Sequence, residues 1–292
     1  MKKIVLFCVA MCAIATQFLA QDTATTYENS LLWKISGNDL KENSYLYGTI
    51  HVGDARVFDY GEPLKEAIKE VDAVYGEIDM TDIAAQMKAM SRMMMDKNLP
   101  DMVSEKEYAL IQEQAKGNPV SMMMNRIKPF FTMAELTRVL IPSDSATVLD
   151  MHLQQLALSL GKEVGGIETL DEQLDAVDKI SLEDQVKMLV EFCEEFEEQK
   201  ADLMSLLDMY LARDLNGMWK LSKESMDEGD YGKDFEMSLL TDRNTVMVER
   251  LMKKMPDHSL VFAVGTLHLP GEDGLIDLLR AEGYTVEAVM GH

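Results

Sequence analysis

The feature that most constrains this chain is a short pattern that occurs twice. Tyr45-Leu46-Tyr47-Gly48-Thr49-Ile50-His51 is an apolar strand pattern that runs into a glycine and delivers a histidine three residues later. Near the other end, Leu260-Val261-Phe262-Ala263-Val264-Gly265-Thr266-Leu267-His268 repeats the order of strand, Gly, Thr, aliphatic residue and His. With five histidines and 17 glycines in 292 residues, about 0.3 histidines should follow a glycine at that spacing by chance. Two do. Glycine lets the backbone turn sharply or approach a ligand at a strand end, which aims the histidine into the rim where open α/β sheets bind ligands. The fold must therefore bring two distant strands together.

Around these motifs the periodicity predicts an α/β (α+β) fold: a central mixed β-sheet flanked by helices, with a large all-helical insertion. Leu31 to Ile35 reads as a first strand, Gly37-Asn38-Asp39 suits a tight turn, and Ser44 to Tyr47 returns as the second arm of a hairpin. Pro63 marks a helix start, the helix runs from Leu64 to Glu70, and Ala73 to Asp79 is a strand ending in two acids. From Thr81 to about Asn244 helical patterns dominate, with a break at Pro129-Phe130-Phe131. Leu149, Leu153, Leu156 and Leu160 recur at helical spacing with Gly161 just past the C-cap, and Ser181 with Asp184 forms an N-cap and an acid three residues on. Lys162 to Glu168 reads as one more short strand and turn. Strand Leu260 to Val264, helix Leu275 to Ala281 and strand Tyr284 to Val289 close the chain. Residues 21–80 and 245–292 are thus the two halves of the core, and 81–244 the helical insertion or cap.

Residues 1–20 have a charged start, an apolar run from Ile4 to Ala15 and small residues before Gln21, the layout of a signal peptide. An exported protein, periplasmic or extracellular, is expected, with an uncleaved N-terminal membrane anchor as the alternative. Cys8 and Cys12 lie in that segment, so the exported form keeps Cys193 alone and forms no internal disulfide. The formal charge is −23, and loss of Lys2 and Lys3 would make it about −25. Such a surface repels nucleic acid and anionic lipid and attracts divalent cations non-specifically.

Glu77, at the end of a third strand, supplies a carboxylate at the same rim. His51, Glu77 and His268 then make a three-ligand set for a divalent metal with an open position for water. The alternative is that the histidines bond loop backbone and Glu77 is a solvated strand end. Arg56, just after the first motif, is either surface charge or a substrate-positioning group. Arg243 and Asn244 sit in a helix leading to the second motif, where a helix surface is the default. Glu168, after a double glycine, would either reach the cleft or cap a helix. Asp150 and His152 read as a helix face. The methionine clusters at Met87 to Met95 and Met122 to Met124 suit core filling, or a groove that accepts varied peptides.

The chain also resembles a known family. Leu32-Trp33-Lys34-Ile35, Tyr47-Gly48-Thr49-Ile50-His51-Val52, Arg56-Val57-Phe58-Asp59, Gly76-Glu77-Ile78-Asp79, Gly166-Ile167-Glu168-Thr169 with Gln173, Arg243-Asn244, and Phe262 to His268 with Gly271, Ile276, Leu279 and Gly283-Tyr284 are similar to the TraB/PrgY/GumN family, and within it to Tiki-type proteases. The resemblance implies a Tiki-like fold related to erythromycin-esterase and ChaN-like proteins. It further implies a metal held by His51, His268 and Glu77, with manganese or cobalt favoured and zinc the alternative. Arg243 and Asn244 would line the site, and the substrate would be an extracellular peptide or protein.

Three functions stay open at this point. An exported metallopeptidase would use metal-activated water, with Arg243 or Asn244 stabilising the oxyanion and Glu168 as general base. A non-catalytic protein would sequester a peptide or signal under the helical insertion. A metal-independent esterase-like hydrolase would use His51 as general base.

Overall fold

Leu260 to Val264 is apolar at every position, which suits a strand covered on both faces. The computed structural model describes residues 26–141, 144–145, 147–227 and 240–291, and places this stretch centrally in one sheet. The described strands are β1 (Leu32–Ser36), β2 (Ser44–Thr49), β3 (Ala73–Gly76), β4 (Glu163–Gly166), β5 (Leu260–Gly265) and β6 (Thr285–Ala288). Their order is β4-β3-β5-β2-β1-β6. β4, β3, β5 and β2 are parallel, and β1 is antiparallel to β2 and β6. The signal-like segment 1–20, with Cys8 and Cys12, lies outside the described residues. No helix of the described residues is long and apolar enough to cross a membrane.

The mixed sheet flanked by helices is the α/β architecture expected. The hairpin turns where Gly37, Asn38 and Asp39 take φ of +80°, +50° and +61°, a left-handed region that these residue types tolerate. α1 (Gly61–Glu70) carries the chain from β2 to β3, leaving a gap that β5 fills from far along the sequence. Gly48 of β2 pairs with Val264 of β5, and Thr49 with Gly265, so the two repeated motifs end one residue out of step on adjacent parallel strands.

The helical stretch comprises α2 (Ile83–Met93), α3 (Glu105–Gln114), α4 (Pro129–Arg138), α5 (Leu149–Ser159), α6 (Leu170–Asp178), α7 (Leu182–Glu194), α8 (Phe196–Leu211), α9 (Leu215–Asp227) and α10 (Asp242–Lys254), and α11 (Leu275–Ala281) follows β5. β4 interrupts it. The chain leaves the sheet after β3 and returns as an edge strand, and Ile167 N–H to Gly76 O and Glu168 N–H to Glu77 O continue the pairing past the regular ladder. Gly161 ends α5 at φ +74°, and Ser181 Oγ caps α7 by accepting from Asp184 N–H. α2 buries Ala89, its Lys88 and Arg92 form exposed ion pairs with Asp171, Asp175 and Asp178 at α6, and its Ile83, Met87 and Met90 are exposed as well.

Candidate active site

Because β4, β3, β5 and β2 run in one direction, their carboxyl ends lie along one rim. In spatial order these ends deliver Glu168, Glu77, His268 and His51. Two glycines make the close approach feasible. A Cβ on Gly48 would sit 3.0 Å from Thr266 Oγ1 and 3.2 Å from its Cα, and one on Gly265 would sit 3.2 Å from Glu77 Oε1. The threonines of the motifs lock the halves together: Thr266 Oγ1 donates to Thr49 O at 2.7 Å, and Thr49 Oγ1 donates to Asp150 of α5 at 2.6 Å.

His268 is fully buried. Asn244, in the first turn of α10, donates from Nδ2 to Asp273 O at 2.7 Å, which turns its Oδ1 to His268 Nδ1 at 2.5 Å. An amide oxygen only accepts, so Nδ1 carries the proton and the Nε2 lone pair is bare. That atom is buried without a hydrogen bond, 3.6 Å from Glu77 Oε1. Burial pushes the His268 imidazole down to about 3. Burial pushes Glu77 up, but Arg243, His268 and the Gly265 N–H outweigh it and hold the carboxyl at about 2. With His268 neutral, the support for the Glu77 anion comes from Arg243 and the Gly265 N–H rather than from an imidazolium.

Arg243 is shared by two carboxylates. Its Nη2 lies 2.5 Å from Glu77 Oε2 and 2.6 Å from Glu168 Oε2, and its Nε bonds both Glu168 oxygens. Gln173 Nε2 adds a bond to Glu77 at 3.1 Å. Burial raises the Glu168 pKa above its ordinary value, with Arg243 opposing and Glu77 adding to the rise.

His51 stands apart, with half of its side chain open to a cavity. Its Nδ1 lies 3.3 Å from Asp150 Oδ2, and although surrounding protein pulls the imidazole down, Asp150 and then Glu77 outweigh this and raise its pKa. The cavity, about 350 Å³, runs from His51, Glu77 and Thr266 at the rim to apolar walls that include Phe130, Phe131, Leu174 and Met93. Arg243, Asn244, Glu168 and His268 sit behind that surface rather than on it. Arg56 is elsewhere, paired with Asp54 beside the first motif. A larger open groove, about 850 Å³, lies between the 96–107 segment and α7, and holds none of these residues.

A family model described as TraB/PrgY/gumN matches residues 31–288. The chain belongs to that family. Among curated proteins it is similar to metalloprotease TIKI1 of Danio rerio, 26% identical over 89% of this chain and 63% of that protein. Metalloprotease TIKI1 of Homo sapiens is 26% identical over 89% of this chain and 62% of that protein. The TIKI homolog of Nematostella vectensis is 25% identical over 89% and 67% respectively. The chain thus spans somewhat less than two thirds of the first two relatives. No solved structure matches it.

A divalent metal is implied by such relatives. The donors suit one: His268 Nε2 is a buried lone pair with no partner, and it faces an ionised carboxylate. Among the described residues no three His, Cys, Asp or Glu stand close enough to form a ready cage. His268 and Glu77 are neighbours, and His51 and Glu77 line the same cavity. Sequence reasoning treated Asp150 as a helix face and did not assign Tyr210, whose hydroxyl donates to Gly48 O at the cavity wall. Neither has a sequence signal, because each reaches the rim by tertiary packing.

Proposed function

We propose that this TraB/PrgY/gumN protein is an exported, divalent-metal-dependent peptidase, with His51, Glu77 and His268 as the metal ligands and manganese, cobalt or zinc as the ion. The observation that supports it most is the matched state of the two imidazoles. Each has Nδ1 against an acceptor, Asn244 or Asp150, and in that state Nε2 is the lone pair available to an ion. The relatives named metalloproteases support the same reading.

A bound divalent ion supplies a polarised carbonyl and a water of lowered pKa. The chain's own residues do the rest. Arg243 keeps Glu77 ionised, and Glu168 holds Arg243 in place. With both oxygens engaged and no access to the cavity, Glu168 is a poor proton acceptor, so we assign it that holding role instead of general base. Asn244 fixes the His268 tautomer, and with its amide engaged on both sides it is not free to bind an oxyanion. The walls of Phe130, Phe131 and Leu174 favour an apolar side chain and exclude water from the scissile bond. Hydrolysis adds water across the peptide C–N bond and releases an acid and an amine.

The test incubates protein lacking residues 1–20 with a peptide mixture and manganese, cobalt or zinc, and reads products by mass spectrometry. Metal-dependent cleavage lost in His51→Ala and His268→Ala is expected. Absence of cleavage with every ion, with peptide still retained, would favour sequestration.

A further inference from the structure

Asp150 is the residue the site depends on without an assigned part. It lies in the first turn of α5, which packs on β3, so the helical stretch reaches back to the rim here. One carboxylate oxygen, Oδ1, accepts from Thr49 Oγ1 at 2.6 Å. The other, Oδ2, is buried, and no well-formed hydrogen bond satisfies it. The polar atom facing it is His51 Nδ1 at 3.3 Å. A buried carboxylate oxygen without a donor is costly. An imidazole presenting an N–H there relieves that cost, and one presenting a lone pair adds repulsion. The same logic operates at His268, where Asn244 Oδ1 sits on Nδ1.

We propose that Asp150, anchored by Thr49, is the positioning residue for His51: it selects the Nδ1–H tautomer and turns the Nε2 lone pair into the cavity. Thr49 then has two tasks in the first motif, accepting from Thr266 through its carbonyl and orienting Asp150 through its hydroxyl. The two histidines are held by unlike partners, a carboxylate from α5 and an amide from α10. The carboxylate makes His51 the stronger donor of the pair. This meaning for catalysis rests on the metallopeptidase reading, whereas the choice of tautomer does not.

The experiment records long-range proton–nitrogen NMR spectra of the His51 ring in metal-free protein, with His51→Ala for assignment. Wild type should show Nδ1 protonated and Nε2 bare. In Asp150→Ala the ring should move toward the Nε2–H form, and Asp150→Asn should move it the same way, because the amide oxygen stays on the Thr49 hydroxyl and the NH2 group then meets Nδ1. Titration of manganese, cobalt and zinc ions alone by calorimetry should show affinity about 10- to 100-fold weaker in Asp150→Ala. An unchanged tautomer in Asp150→Ala overturns the proposal. If that variant does not fold, Thr49→Val decides, because a loosened Asp150 should raise the Nε2–H population and an unchanged spectrum overturns the idea. If wild type binds none of the three ions, the metallopeptidase reading falls and the spectra alone still decide the role of Asp150.

Discussion

At the scale of single residues, Arg243 has the most at stake. It compensates Glu77 and Glu168 at once, and all three are largely out of water. Removing one member of a buried ionic group leaves the others uncompensated, at a cost of about 3–5 kcal/mol. Arg243→Leu should therefore lower stability by that amount at pH 7 in denaturant titrations. The deficit should shrink as pH falls, since protonation neutralises the two stranded carboxyls. A deficit that stays constant down to pH 4 would show that Arg243 serves mainly as packing. Sequence inspection put Arg243 and Asn244 on a helix by default as surface. Nothing in their spacing shows that α10 turns its first residues inward, because that depends on what packs over them.

Elements are joined by a second set of charges. Glu172 completes the capping box at the start of α6 and also receives Arg250 from α10. The Arg250 contact, set against partial burial and helped by the Thr169 N–H, holds the Glu172 carboxyl at about 2. A carboxyl lowered on folding stabilises above its unfolded pKa, and that support fades as pH falls from about 4.5 toward 2. Arg250→Met should lower the melting temperature at pH 7 by the equivalent of on the order of 1 kcal/mol, as both groups are partly exposed. Near pH 2 the variant and wild type should melt together, and a persistent gap would assign the effect to lost packing. Ser181 and Gly161, which bound α7 and α5, are read directly from local pattern. The ion pairs that Lys88 and Arg92 of α2 make with α6 are not, because they join residues far apart in the chain with no fixed spacing.

For the whole molecule, the thiols report on folding and on the N-terminal segment together. Cys193 is buried in α7 and its thiol is pushed up to about 12 by burial and then by Glu194. Protein lacking residues 1–20 should give no reaction with a thiol reagent when native and one equivalent when unfolded in guanidinium. Reactive thiols in native purified protein would point to retained Cys8 and Cys12 or to an opened α7.

The sequence by itself determined the strands, the repeated Gly-x-x-His motifs and the family, because those depend on local periodicity and on residues close together in the chain. It also pointed to His51, Glu77 and His268. Only the tertiary structure decided how they are held: β5 inserts between β3 and β2, which aligns four carboxyl ends in one row. Asp150, Asn244, Gln173 and Arg243 meet those ends from three separate helices. Such contacts join residues with no fixed sequence spacing, and their energies depend on burial, which exists only once the chain has folded.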